Sequence, residues 1–125
     1  MDDIELLEFA AKACGYKYSF GYSNDESLAI RYGMTKALWV EDLDEDSDDH
    51  TFYWNPLEDD AQAFKLFVKL GMNVSIYGDC ANVFLFSPNG WYSKQSELYN
   101  KYNDDRYAAT RRAIVRTAAE IGRRM

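Results

Sequence analysis

Trp54-Asn55-Pro56-Leu57-Glu58-Asp59-Asp60-Ala61-Gln62-Ala63-Phe64-Lys65-Leu66-Phe67-Val68-Lys69-Leu70-Gly71 reads as a turn, a cap, an amphipathic helix and a stop in direct succession. Asn55-Pro56 turns the chain. Asp59 or Asp60 offers a side-chain oxygen to the unpaired N–H groups that open a helix, and Gly71 supplies the left-handed residue that closes one. At 100° per residue, Ala61, Ala63, Phe64, Leu66, Phe67, Val68 and Leu70 cover an arc of about 200°, with Gln62, Lys65 and Lys69 opposite. That arc is wider than a single sheet face covers.

Strands flank this helix. Downstream, Met72–Tyr77 and Ala81–Phe86 are rich in strand formers and enclose Gly78-Asp79, which predicts a hairpin. Ser87-Pro88-Asn89-Gly90 is a turn cluster, and Trp91–Tyr102 has no clear period. Asn103 or Asp104 then caps a last helix running to about Arg123. Upstream, Thr51–Trp54 predicts a strand, as do Leu28–Tyr32 and Ala37–Val40, the latter two joined through Gly33-Met34-Thr35-Lys36. Tyr16-Lys17-Tyr18-Ser19-Phe20-Gly21-Tyr22 alternates strictly and sets four rings on one face. The first helix spans about Ile4 to Cys14, capped by Asp2 or Asp3 and stopped by Gly15, and its apolar arc is again about 200° wide. The expected class is α+β, one domain over residues 1–125, with three helices and mainly antiparallel strands.

A chain of 125 residues that is 47% hydrophobic and 16% aromatic can fill a core without metal or disulfide support. Its net charge of −7 is unevenly placed. From Asp104 onward six arginines face three carboxylates, +3, which leaves −10 for the preceding residues. Glu41, Asp42, Asp44, Glu45, Asp46, Asp48 and Asp49 put seven acids into nine positions, a solvated mobile loop over 41–50. An acidic body repels nucleic acid and favours a basic protein surface. Met1-Asp2-Asp3-Ile4-Glu5 is not a secretory leader, and no apolar run has the length of a membrane span, so the expected compartment is cytoplasmic.

Candidate chemistry is sparse. Any histidine-based site would have to use His50, whose acidic neighbours favour the charged form that a general base cannot use. Asp42, Asp44 and Asp46 have the alternate spacing of a calcium loop, but Ser47 stands where its glycine belongs and Tyr53 where its bidentate glutamate belongs. Cys14 and Cys80 have no metal or paired-thiol spacing and read as free thiols. The aromatic strand has the form of a base-stacking platform, but with one interleaved lysine and acidic surroundings a sheet-covering role is the better reading. On the last helix, Tyr107, Ile114, Ala118, Ile121 and Met125 form an apolar stripe. Arg112, Arg116 and Arg123 lie within about 40° of one another opposite it, over roughly 16 Å, as a grip for an acidic surface or as solvated charges.

Three blocks carry a family resemblance: Trp-Asn-Pro-Leu-x-Asp-Asp-x-x-Ala at Trp54–Ala63, its continuation Phe64–Gly71, and Ala-Ala-Thr-Arg-Arg-Ala-Ile-Val-Arg at Ala108–Arg116. In these the chain resembles the phage ABA sandwich domain family, small and mostly uncharacterised proteins of bacteriophages and prophages. The resemblance covers the chain from Trp54 onward. It implies an α/β/α sandwich, with an antiparallel sheet of four to six strands and the three helices packed on its two faces, in a bacterial host cytoplasm. It brings no catalytic residue and no cofactor.

The expected function is that of a non-enzymatic phage or prophage accessory protein binding a host protein with a basic surface, as an inhibitor of host defence. Glu41, Asp42, Asp44, Glu45, Asp46, Asp48 and Asp49 are the leading contacts, with Arg112, Arg116 and Arg123 as a second set. The alternatives are a homo-oligomeric module joined through the surplus apolar arcs, and a binder of small molecules or nucleotides using the aromatic strand.

Overall fold

Three aspartates each place a carboxylate oxygen over the free N–H groups of a helix start. Asp2 accepts from Glu5 N at 2.8 Å and opens α1, Asp3–Ala13. Asp59 accepts from Gln62 N at 3.0 Å and opens α2, Asp60–Leu70, which Gly71 closes at φ 66. Asp105 accepts from Tyr107 N and Ala108 N at 3.0 and 3.1 Å and opens α3, Arg106–Arg123. The third cap lies beyond the Asn103 or Asp104 expected from sequence. Those two residues are both left-handed, at φ 54 and 61, and turn the chain out of a 3-10 helix over Tyr99–Tyr102, so α3 begins only after them.

The computed structural model describes residues 2–22, 36–41, 51–86 and 92–125. The strands are β1 (Lys17–Tyr22), β2 (Lys36–Glu41), β3 (Thr51–Tyr53), β4 (Asn73–Ile76), β5 (Cys80–Phe86) and β6 (Tyr92–Leu98). Among the described residues all pairing is antiparallel, in two three-stranded sheets ordered β1-β2-β3 and β4-β5-β6. The class is therefore α+β. β1 and β2 pair from Lys17↔Glu41 to Tyr22↔Lys36, so the two strands run the full length of each other. The weakly patterned segment after Trp91 becomes β6 and the 3-10 helix. Its Ser93-Lys94-Gln95-Ser96-Glu97 is polar throughout and so carried no strand period; among the described residues β6 pairs with one strand, β5. The strand expected at Leu28–Tyr32, the connection at Gly33–Lys36 and the turn at Ser87–Gly90 lie outside the described residues.

Helix α3 contacts α1, α2, β5, β6 and the 3-10 helix, while α1 also touches β1 and β2. With neighbours on several sides, α3 buries residues nearly all the way round: Ala109, Ala113, Ile114, Val115, Thr117, Ala118, Ala119 and Gly122. This corrects the single stripe expected for it, since Tyr107 and Met125 are exposed. Small residues make the arrangement workable. Ala10 and Ala11 of α1 and Ala118 and Ala119 of α3 are fully buried, and Gly122 lies directly against the Phe9 backbone. Leu6, Leu7, Val40, Trp54, Leu66, Val83 and Val115 complete the same core.

Rings from the N-terminal alternation serve that core. Tyr16 meets Trp54 edge to face at 5.8 Å, and Lys69 lies over the Tyr16 ring at 4.7 Å. Tyr18 packs beside them and donates its hydroxyl to Glu8 at 3.2 Å.

Candidate functional site

The turn before α2 is held by amide chemistry. Asn55 is buried, and its side-chain oxygen accepts from Leu57 N at 3.2 Å. Gln62 accepts from Asn55 N at 2.6 Å and donates to Tyr53 O at 2.8 Å, so the third helical residue ties the turn to β3. Arg111 of α3 then crosses to this turn. Its Nε donates to Leu57 O at 2.7 Å and its Nη1 to Asp60 at 2.6 Å. One guanidinium thus fixes α2 beside α3, and the two sequence blocks that are far apart in the chain meet at it.

Fixing the helices side by side leaves a groove between them. Ala63, Phe64 and Phe67 of α2 form one wall, and Tyr107, Thr110 and Ile114 of α3 the other. Val74 and Ile76 of β4 also line it, and its volume is about 610 Å³. Its apolar groups are not sealed from water: Phe64 is 64% exposed, Ile76 51% and Tyr107 72%. The charged lining groups are Asp60, Arg106 and Arg111. Arg111 and Asp60 pair with each other, whereas Arg106 lies over the Tyr99 ring at 5.2 Å. Among the described residues Arg106 meets no carboxylate.

The expected arginine stripe is divided: Arg112 and Arg116 reach acids on other elements, while Arg123 stays exposed and pairs within α3. Arg112 pairs with Asp3 of α1 at 2.7 Å, Arg123 with Glu120 at 2.6 Å, and Arg116 with Glu97 of β6. Hydrogen bonds from Arg123 and, after it, Arg124 hold the Glu120 carboxyl below its ordinary value, against the opposing effect of burial. Glu97 is only 4% exposed, and it also accepts from the Tyr102 hydroxyl at 2.9 Å. Burial, and then that bond to a carboxylate, push the Tyr102 hydroxyl up to about 12 from its ordinary 10.0. The unfolded chain therefore loses this proton first, so folding stability should fall as pH rises from about 10 towards 12. Denaturation midpoints across that range should decline less steeply in Tyr102→Phe; an identical decline would show that another group is responsible.

Of the residues expected to meet a partner, Glu41 ends β2, with Lys17 and Thr51 as its strand partners, and so belongs to a ladder rather than to the loop assigned to it. Asp42, Asp44, Glu45, Asp46, Asp48, Asp49 and also His50 lie outside the described residues. The structure brings Arg112 and Arg116 to the same side of α3 but engages each with a different acid. Of the groove residues, Phe64 stood in the wide apolar arc of α2 and Tyr107 in the apolar stripe of α3, both read as surfaces to be covered, whereas Ile76 and Arg106 were not singled out in the sequence. Among the described residues no three His, Cys, Asp or Glu side chains gather as a metal site, and no helix is long and apolar enough to cross a membrane. No family model, curated protein or solved structure matches the chain.

Proposed function

We propose that the protein is a non-enzymatic binding module, a phage or prophage accessory protein of the ABA sandwich kind that its sequence resembles, and that it acts in the host cytoplasm on a host protein, with host defence as the target. The α/β/α layering with helices on both faces of the sheet belongs to the same proposal. The observation that supports protein binding is the exposed apolar groove between α2 and α3, because soluble proteins seldom leave large aromatic and aliphatic side chains standing together in water without a partner. The acidic run from Glu41 to Asp49 is the alternative contact, which its charge suits to a basic partner.

Affinity capture from a bacterial host lysate tests this with three baits: the native chain, Phe64→Glu/Tyr107→Glu, and a variant with the seven acids of 41–49 changed to amides. The native chain should recover one stoichiometric protein and the groove variant should lose it. Loss only from the amide variant moves the contact to the acidic run. Recovery of nothing by the native chain counts against the binding function itself.

The same exposed groove favours one second reading, a homo-oligomer joined through this face. Light scattering separates the two, since a monomer of 14.5 kDa at dilute concentration excludes it.

A further inference from the structure

We infer that the groove between α2, β4 and α3 accepts an acidic amphipathic segment of a partner protein, its large apolar side chains seated on Phe64, Phe67 and Ile76 and a carboxylate on Arg106. This rests on the protein-binding reading and gives that partner a chemistry. The volume, about 610 Å³, falls within the range of small-molecule sites. The exposed surface is more extended than such a ligand needs, however. Val68, four residues on from Phe64 along α2 and so on the same helical face, is 58% exposed. A small molecule within the groove would leave it wet. A peptide segment lying along α2 would cover both residues in the way amphipathic helices fill apolar grooves elsewhere.

Charge selects among such segments. Asp60 and Arg111 neutralise each other, so the groove's balance is set by Arg106, in a chain whose net charge is −7. Asp105, the residue before Arg106, is committed to the N–H groups that open α3, which leaves Arg106 as the lining charge open to a partner's carboxylate. Placed beside apolar surface that a partner would desolvate, its guanidinium favours a carboxylate and penalises a cation. A second copy of the chain is a poorer occupant. A two-fold contact presents the same patch from both sides, so it would bring two such arginines together and supply no carboxylate beyond the two already paired Asp60 groups.

Two fluorescein-labelled amphipathic peptides of identical Leu and Phe spacing, one carrying glutamates and the other lysines at its polar positions, provide the test by anisotropy. The glutamate peptide should bind the native protein at least about tenfold more tightly. Ile76→Glu should abolish binding of the glutamate peptide, and Arg106→Glu should reverse the preference. Both positions are exposed, and unchanged thermal melts would confirm that the variants fold. Equal binding of the two peptides, binding of neither, or a preference indifferent to Arg106→Glu overturns the inference, as does a dimer that Ile76→Glu dissociates. A host protein captured equally well by the native chain and by Ile76→Glu removes the groove assignment while leaving the protein-binding reading standing.

Discussion

Gly122→Ala is expected to destabilise the protein by about 3 kcal/mol or more, at the upper end of what overpacking costs. The sign is the informative part. In an ordinary exposed helix, replacing glycine by alanine stabilises by up to about 1 kcal/mol, because alanine restricts the unfolded chain and glycine does not. Gly122 is buried in the last turns of α3 where α1 passes. A Cβ there would stand 2.7 Å from the Phe9 carbonyl carbon and closer still to its oxygen. Those are backbone atoms of a neighbouring helix, so no rotamer change relieves the contact. Helix α1 would have to move, and with it Leu6, Leu7, Ala10 and Ala11, all of which are in the core. Urea denaturation gives the result directly. A midpoint at or above that of the native chain would show that the helices separate at little cost and that the tight crossing does not hold them.

That crossing illustrates which features the sequence makes legible. Helix limits were readable because they depend on neighbours in the chain: Asp2 and Asp59 cap the helices that follow them, and Gly71 closes α2 as its left-handed conformation predicts. The hairpin of β4 and β5 was readable for the same reason. The cap of α3 was misplaced because Asn103 and Asp104 are typical cap residues, and only the preceding 3-10 helix forces both into a left-handed turn. The apolar stripe on α3 follows one helical face, of which Ile114 and Ala118 are buried and Tyr107 and Met125 are exposed. Burial there is decided by how many neighbours surround the helix, which adds Ala109, Ala113 and Ala119 from outside the stripe and leaves Tyr107 and Met125 in water. Periodicity reports one buried face and cannot register several.

The candidate site was legible only as an excess. The arc of α2 was visibly wider than a sheet needs, but whether the surplus meets a neighbour or water depends on where Arg111 sets α3, a contact between residues more than fifty positions apart. In the same way, Arg112, Arg116 and Arg123 look like an outward grip when α3 is drawn alone. The acids that engage the first two come from α1 and β6, and β6 is the segment whose pattern was least readable.

Arg116→Met should cost about 3 kcal/mol at neutral pH, and Glu97→Met/Arg116→Met should cost markedly less than that single change. The asymmetry follows from burial. Arg116 has a side chain 40% exposed and reaches water, but Glu97 lies in β6 beneath α3 with only 4% of its surface accessible. Removing the arginine leaves that carboxylate with the Tyr102 hydroxyl as its remaining hydrogen-bond donor among the described residues, which does not offset the loss of its hydration. Removing both charged groups replaces a half-buried ion pair with apolar side chains of similar length, and Tyr102, being partly exposed, can turn its hydroxyl to solvent. Urea midpoints of the native chain, the two single Met variants and the double variant form a cycle whose coupling should be about 1–3 kcal/mol. Additive losses would mean that the pair is effectively a surface interaction; a fully recovered double variant would mean that the ion pair adds little net stability and chiefly fixes where β6 sits against α3.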